Sequence, residues 1–143
     1  MKSGIQVVAI LCAVVSMMAS HSVFSQESIR NPEPQVSAAG VEYVSGGIGA
    51  GSQQAMNDIR KQYNLRLTFA RPGSGEYLSD VHIRAEDNHG QSVLDTNSHG
   101  PFFFARLPPG TYHITAGFEG KTQDRHITIS KGHPKGLNFY FAK

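Results

Sequence analysis

The run Gly100-Pro101-Phe102-Phe103-Phe104-Ala105-Arg106-Leu107-Pro108-Pro109-Gly110-Thr111-Tyr112 constrains this chain more than any other stretch. Pro108 and Pro109 fix φ and carry no N–H, so neither a helix nor a strand ladder runs through them, and Gly110 accepts backbone angles that other residues avoid. Phe102 and Phe104 alternate on one side of the turn, and Tyr112, Ile114 and Ala116 alternate on the other. Strand, rigid turn, strand is the reading, with aromatics feeding a core from both arms. The run offers no catalytic group.

The same period of two recurs along the second half of the chain. Leu65, Leu67 and Phe69 alternate with Arg66 and Thr68, and Val81, Ile83 and Ala85 alternate with His82, Arg84 and Glu86. Val93 and Leu94 mark a short strand, Ile127 and Ile129 alternate with His126 and Thr128, and Leu137, Phe139 and Phe141 close the series. Between them lie turn signals: Pro72-Gly73-Ser74-Gly75, Asp87-Asn88-His89-Gly90, Glu119-Gly120 and the loop Gly132 to Gly136. Short strands at near-regular spacing predict a mainly β chain, an antiparallel β-sandwich of about seven strands over 65–141. Ahead of it, Ala55, Met56, Ile59 and Tyr63 share one helical face, which predicts a short N-terminal helix over 52–63 with Ser52 as cap and Asn64 at its exit. Residues 52–143 are then a single domain. Residues 26–51, with Pro32, Pro34 and the glycines Gly46, Gly47, Gly49 and Gly51, read as an irregular or flexible N-terminal arm holding a short strand at Val41 to Val44.

A basic start at Lys2, an apolar run from Ile5 to Met18, and small residues at Ala19, Ser20 and Ser25 predict a signal peptide over 1–25. The run is shorter than the roughly 20 apolar residues of a comfortable membrane span, so no span is expected after cleavage. The expected location is periplasmic or secreted. The single cysteine, Cys12, lies inside the apolar run, so the exported domain has no disulfide and no thiolate. About 120 residues remain, enough for one domain of ordinary size. A net charge of +2 with both signs interspersed gives no basic stripe, and no nucleic-acid partner is expected.

Candidate chemistry is sparse. Gly47-x-Gly49-x-Gly51 precedes a helix but lacks the Gly-Lys-Ser/Thr of a phosphate loop and the βαβ setting of a dinucleotide fold. With Val81, Tyr112 and Ile127 inward, His82, His113 and His126 face outward. On neighbouring strands these imidazoles would approach one another as Zn²⁺ or Cu²⁺ ligands, but no His-x-His pair supports a site, so no metal or other cofactor is expected. Asp80, Glu86, Asp87 and Asp95 are spread over turns and solvent faces, and no nucleophile elbow is present. Outward aromatics are the better hint. With Phe102 and Phe104 inward, Phe103 faces out, unless the helix around Met56 and Ile59 covers it; with Phe139 and Phe141 inward, Tyr140 faces out; Tyr77 sits beside a loop. Phe103, Tyr140 and Tyr77 are therefore the candidate binding residues.

Gly90 followed by Gly100-x-Phe102-x-Phe104-x-x-Leu107-Pro108-Pro109-Gly110-x-Tyr112-x-Ile114 resembles the carboxypeptidase regulatory-like domain. The resemblance covers about Leu65 to Phe141 and implies a transthyretin-like β-sandwich. Together with Tyr43-Val44-Ser45-Gly46-Gly47-Ile48-Gly49, Tyr63 to Ala70 and Tyr77-Leu78-Ser79-Asp80-Val81, the chain is similar to small exported proteobacterial proteins of that kind. It implies a Gram-negative envelope protein with no family functional residues. The chain lacks the terminal Tyr-Arg-Gly-Ser of the hydroxyisourate hydrolases that share the fold, and it lacks a carboxypeptidase zinc motif. The expected function is a non-enzymatic interaction or accessory module whose partner is an envelope protein. A carbohydrate-binding module using outward aromatics on a glycan is the alternative, and an enzyme of unrecognised type the third.

Overall fold

A computed structural model describes residues 31–143; the expected signal peptide lies outside the described residues. The fold is mainly β, two face-packed sheets with one short helix. Its strands are β1 (Gln35–Val36), β2 (Glu42–Gly46), β3 (Leu65–Ala70), β4 (His82–Asp87), β5 (Ser92–Asn97), β6 (Phe102–Ala105), β7 (Gly110–Phe118), β8 (Lys121–Ile129) and β9 (Lys135–Tyr140). Sheet A has the order β1-β2-β6-β3-β9, and sheet B the order β5-β4-β7-β8. The pairing is antiparallel except between β3 and β9, which run parallel with Phe69 opposite Phe139. That pair departs from the purely antiparallel expectation. A parallel neighbour requires a long crossover, and here the crossover contains all of sheet B together with β6.

Alternation places one row of each strand between the sheets. Leu65, Leu67, Phe69, Phe103 and Phe139 from sheet A meet Ile83, Ala85, Leu94, Ile114, Ala116 and Ile129 from sheet B, all essentially buried. The Tyr43 and Phe103 rings stack at 5.3 Å inside this layer. Expected and observed facing agree for β3, β4, β7, β8 and β9. They disagree for β6: Phe103 points into the sandwich, and Phe102 and Phe104 point out of it.

The reason lies in α1 (Ala50–Ile59), which continues as a short 3₁₀ turn, Arg60–Gln62. Met56 from α1 packs with Val44, Tyr63 and Phe104 in a second apolar cluster on the outer face of sheet A. Sheet A is thus apolar on both faces where the helix lies. Ser52 is not the helix cap. Gly49 takes that position at φ 80°, and the Ser52 hydroxyl accepts a bond from the Gly47 N–H at 2.9 Å. Gly47 itself, at φ 101°, has no room for a Cβ beside the Phe102 ring. Within the expected arm, the short strand anticipated at Val41 to Val44 is β2, and Gln35–Val36 adds β1 beside it in sheet A.

The opening turn is held from both ends. The Tyr112 hydroxyl donates to the Pro108 carbonyl at 2.7 Å. Asn64 accepts from the Leu107 N–H at 2.8 Å and donates to the Leu107 carbonyl at 2.7 Å, fixing the helix exit against β6. Side chains also tie the two lateral openings of the sandwich. Ser37 donates to the Val93 carbonyl at one side, and Lys121 donates to the Ala142 carbonyl at the other.

Candidate functional site

Phe103 is fully buried and is no surface residue, whereas Tyr77 and Tyr140 are 48% and 50% exposed. The same inversion of β6 that buries Phe103 turns Phe102 outward, where its ring meets Tyr77 edge-on at 5.4 Å. Phe102 in turn lies 6.2 Å from Phe104, and Phe104 lies 6.2 Å from Tyr63. An aromatic ribbon therefore runs along the outer face of sheet A. Tyr63 and Phe104 lie under the helix, Phe102 is half-buried at its margin, and Tyr77 is open to solvent.

Tyr140 joins this face through Ala70. Ala70 bridges Tyr77 on one side, and on the other it is the parallel partner of Tyr140 in β9. Residues directly paired across a sheet share a face, so Tyr77, Ala70 and Tyr140 form one row. Two strand spacings put the tyrosine backbones on the order of 10 Å apart. The Arg71 N–H to Glu76 carbonyl and Leu78 N–H to Phe69 carbonyl bonds, at 2.7 and 3.1 Å, hold the Tyr77 segment against β3. Thr68 and Asn138, adjacent in the β3–β9 register, add hydroxyl and amide groups to the same face. The result is a shallow platform of two phenol rings, a half-buried phenyl edge and polar side chains. Such a surface packs on a flat apolar or amphipathic partner, and each tyrosine hydroxyl stays free for a hydrogen bond.

The outer face of sheet B is chemically different. His82, His113 and His126 all lie on it. His82 pairs with Asp95 at 2.7 Å across β4 and β5. His113 and His126 face one another across β7 and β8, their rings stacked at 4.4 Å and 8°. Asp124 reaches His113 at 3.2 Å. The other carboxylates that sequence inspection raises have separate tasks. Glu86 pairs with Arg84 at 2.8 Å. Asp87 accepts from the backbone N–H groups of His89 and Gln91, which holds its carboxyl below the usual range. Asp80 occupies a left-handed backbone position at φ 58°.

Two open depressions complete the surface. One, of about 360 Å³, lies between β1 and β5, lined by Val36, Ser37, Tyr43, Val93 and Asp95 among others. The second, also about 360 Å³, lies below the helix exit, where Lys61, Arg66 and Arg106 meet His133 and Pro134. Beside it the Tyr63 hydroxyl donates to Glu42 at 3.1 Å, and burial with that carboxylate pushes the phenol above its ordinary range. Neither depression brings a serine or threonine hydroxyl, an imidazole and a carboxylate into one hydrogen-bonded set. Among the described residues, no helix is long and apolar enough to cross a membrane. No protein-family model and no curated protein matches this chain.

Proposed function

We propose that this chain is an exported, non-enzymatic β-sandwich module of the carboxypeptidase regulatory-like, transthyretin-like kind, acting in a Gram-negative envelope by binding a partner protein. The observation that carries the binding reading is the Tyr77–Ala70–Tyr140 row on the half of sheet A that the helix leaves open among the described residues. Large exposed aromatics grouped on one face commonly mark interfaces, and the polar Thr68 and Asn138 beside them suit a wet, reversible contact. Two face-packed sheets with the Pro108-Pro109-Gly110 turn at one end support the fold assignment. The outer edges of β5 and β8, which pair with no other strand among the described residues, are further places where an extended segment of a partner can add.

A glycan partner is the second reading, favoured by the tyrosine spacing of about 10 Å, which suits alternate sugar rings of an extended chain laid along the face. In-cell photo-crosslinking from position 140 and from position 77 distinguishes them. A protein partner gives one defined crosslinked species, lost in Tyr77→Ala/Tyr140→Ala and indifferent to added sugars. A glycan partner gives no such species, and polysaccharide fragments then shift tyrosine fluorescence in the wild type but not in the double variant. Absence of both signals overturns the platform.

A further inference from the structure

Sheet B carries a separate constellation that binding through sheet A does not use. Among the described residues, His113, Asp124 and His126 come together so that one donor atom from each lies within 4.8 Å of the other two. The ladder explains why. His113 on β7 is paired directly with His126 on β8, and Asp124, two positions before His126, projects from the same face. The two imidazoles stack at 4.4 Å, and Nε2 of His113 is 3.2 Å from Asp124 Oδ2. The opposite ring nitrogen of His113, Nδ1, looks toward Glu86 Oε2 at 3.9 Å, and Glu86 is the direct partner of His113 on β4.

We propose that this is a site for a borderline divalent transition-metal ion of the Zn²⁺, Ni²⁺ or Cu²⁺ type. Its ligands are Nε2 of His113, a ring nitrogen of His126 and the Asp124 carboxylate. The donor set decides the class of ion: two imidazoles and one carboxylate suit borderline ions, whereas Mg²⁺ and Ca²⁺ require an all-oxygen shell. The β7–β8 ladder fixes the three backbones, while Asp124 and His126 are exposed and His113 half-buried, so the side chains have room to turn about χ1 and χ2 out of the stacked arrangement and converge on one ion. Glu86 stands where metal-bound histidines find an orienting carboxylate, on the far nitrogen of the ring. Arg84 holds Glu86 in turn at 2.8 Å. Three protein ligands leave a coordination position open to water or to an external donor.

The test is calorimetric titration of the purified protein, freed of metal by dialysis against chelator, with ZnCl₂, NiCl₂, CuCl₂ and MgCl₂ in turn. One ion per chain is expected for at least one of the transition metals, with no saturable heat from Mg²⁺. His113→Ala and His126→Ala should each weaken binding by at least about 10-fold, and Glu86→Gln by about 10-fold through the orienting contact. His82→Ala, on the same face but paired with Asp95, should leave affinity unchanged. These side chains are at least partly exposed, and circular dichroism verifies that each variant is folded. Wild-type affinity in a His113→Ala/His126→Ala double variant overturns the site. So does equal weakening by His82→Ala, or no saturable binding of any of the three ions into the millimolar range.

Discussion

The two sheets are assembled from different kinds of information. Sheet B is built from two local hairpins: β4 and β5 are joined by the Asp87–Gln91 turn, β7 and β8 by the Glu119-Gly120 turn, only the β4–β7 pair joins distant segments, and its strands alternate between a buried and a solvated side. Sheet A is non-local: β2 lies beside β6, β6 beside β3, and β3 beside β9, so every pair in its centre joins segments far apart in the chain. Sheet B presents imidazoles, carboxylates and hydroxyls outward, and water suffices to cover them. Sheet A presents Val44, Phe102 and Phe104 outward, and these require α1. A sheet with one wet face is specified by period and turns alone, whereas a sheet buried on both faces is specified only with the element that covers it.

The largest effect that this contrast predicts is on stability. Phe104 is on an outer face yet buried against Met56 and Tyr63. Phe104→Ala should cost about 3–5 kcal/mol, the range of a core phenylalanine, as should Phe103→Ala in the sandwich proper. Thr128→Ala, outward on sheet B and exposed, should change stability by no more than about 0.5 kcal/mol. Urea unfolding of the three variants measures this. If Phe104→Ala were as mild as Thr128→Ala, the helix would be an ornament on sheet A rather than its second core.

The same contrast explains what was legible in the sequence. The facing of β3, β4, β7, β8 and β9 follows from alternation because polar residues mark the wet side. Phe102-Phe103-Phe104-Ala105 has no polar residue to mark it, so period alone cannot choose between the two parities. The parity with Phe102 and Phe104 inward leaves Phe103 outside, and the molecule adopts the opposite one. The parallel β3–β9 pair, and with it the meeting of Tyr77 and Tyr140 across Ala70, depends on a crossover that leaves no local trace. Exposure of each tyrosine was readable; their adjacency was not. On sheet B a signal was present and missed. Asp124-x-His126 is a carboxylate and an imidazole at strand spacing, and it needed only the hairpin register to set it beside His113.

Titration should separate the β4–β5 hairpin from the buried phenols at opposite ends of the pH scale. The Asp87 carboxyl is held low by backbone N–H groups in the sheet B hairpin. A lowered folded pKa contributes stability that is present above the ordinary carboxylate value, about 3.9, and lost as pH falls through the lowered one. The phenols of Tyr63, in the helix-covered cluster, and Tyr112, in the central core, are raised chiefly by burial. Their contribution is complete below the ordinary phenol value of about 10 and disappears as pH rises through the raised one. Amide exchange followed from pH 3 to 11 should therefore show the β4–β5 hairpin loosening first in acid. At the alkaline end the segments around Tyr63 and Tyr112 should open, with Tyr63→Phe protecting the helix side. Acid loosening that began at the helix would break the comparison.

The smallest predicted effect is a gain, and it is confined to the β7–β8 hairpin of sheet B, where a two-residue turn defines the pair. Glu119 and Gly120 connect β7 to β8 with φ of 48° and 77°, both in the left-handed region. Two-residue hairpins with both central residues at positive φ favour Asn-Gly, since asparagine tolerates that region far better than a long side chain does. Glu119→Asn should stabilise the fold by about 0.5–1 kcal/mol. It gives up the 3.4 Å contact to Arg71, but the Glu119 side chain is largely exposed and the mostly buried Arg71 guanidinium keeps its bond to the Phe141 carbonyl. Glu119→Ala separates the two effects: it discards the same contact and keeps a Cβ at positive φ, so it should show no gain. Thermal unfolding reads the net change, and amide exchange locates it. Added protection on β7 and β8 with none on β3 and β9 is the expected pattern, because the hairpin closes its own ladder while β3 and β9 wait on contacts that no turn supplies.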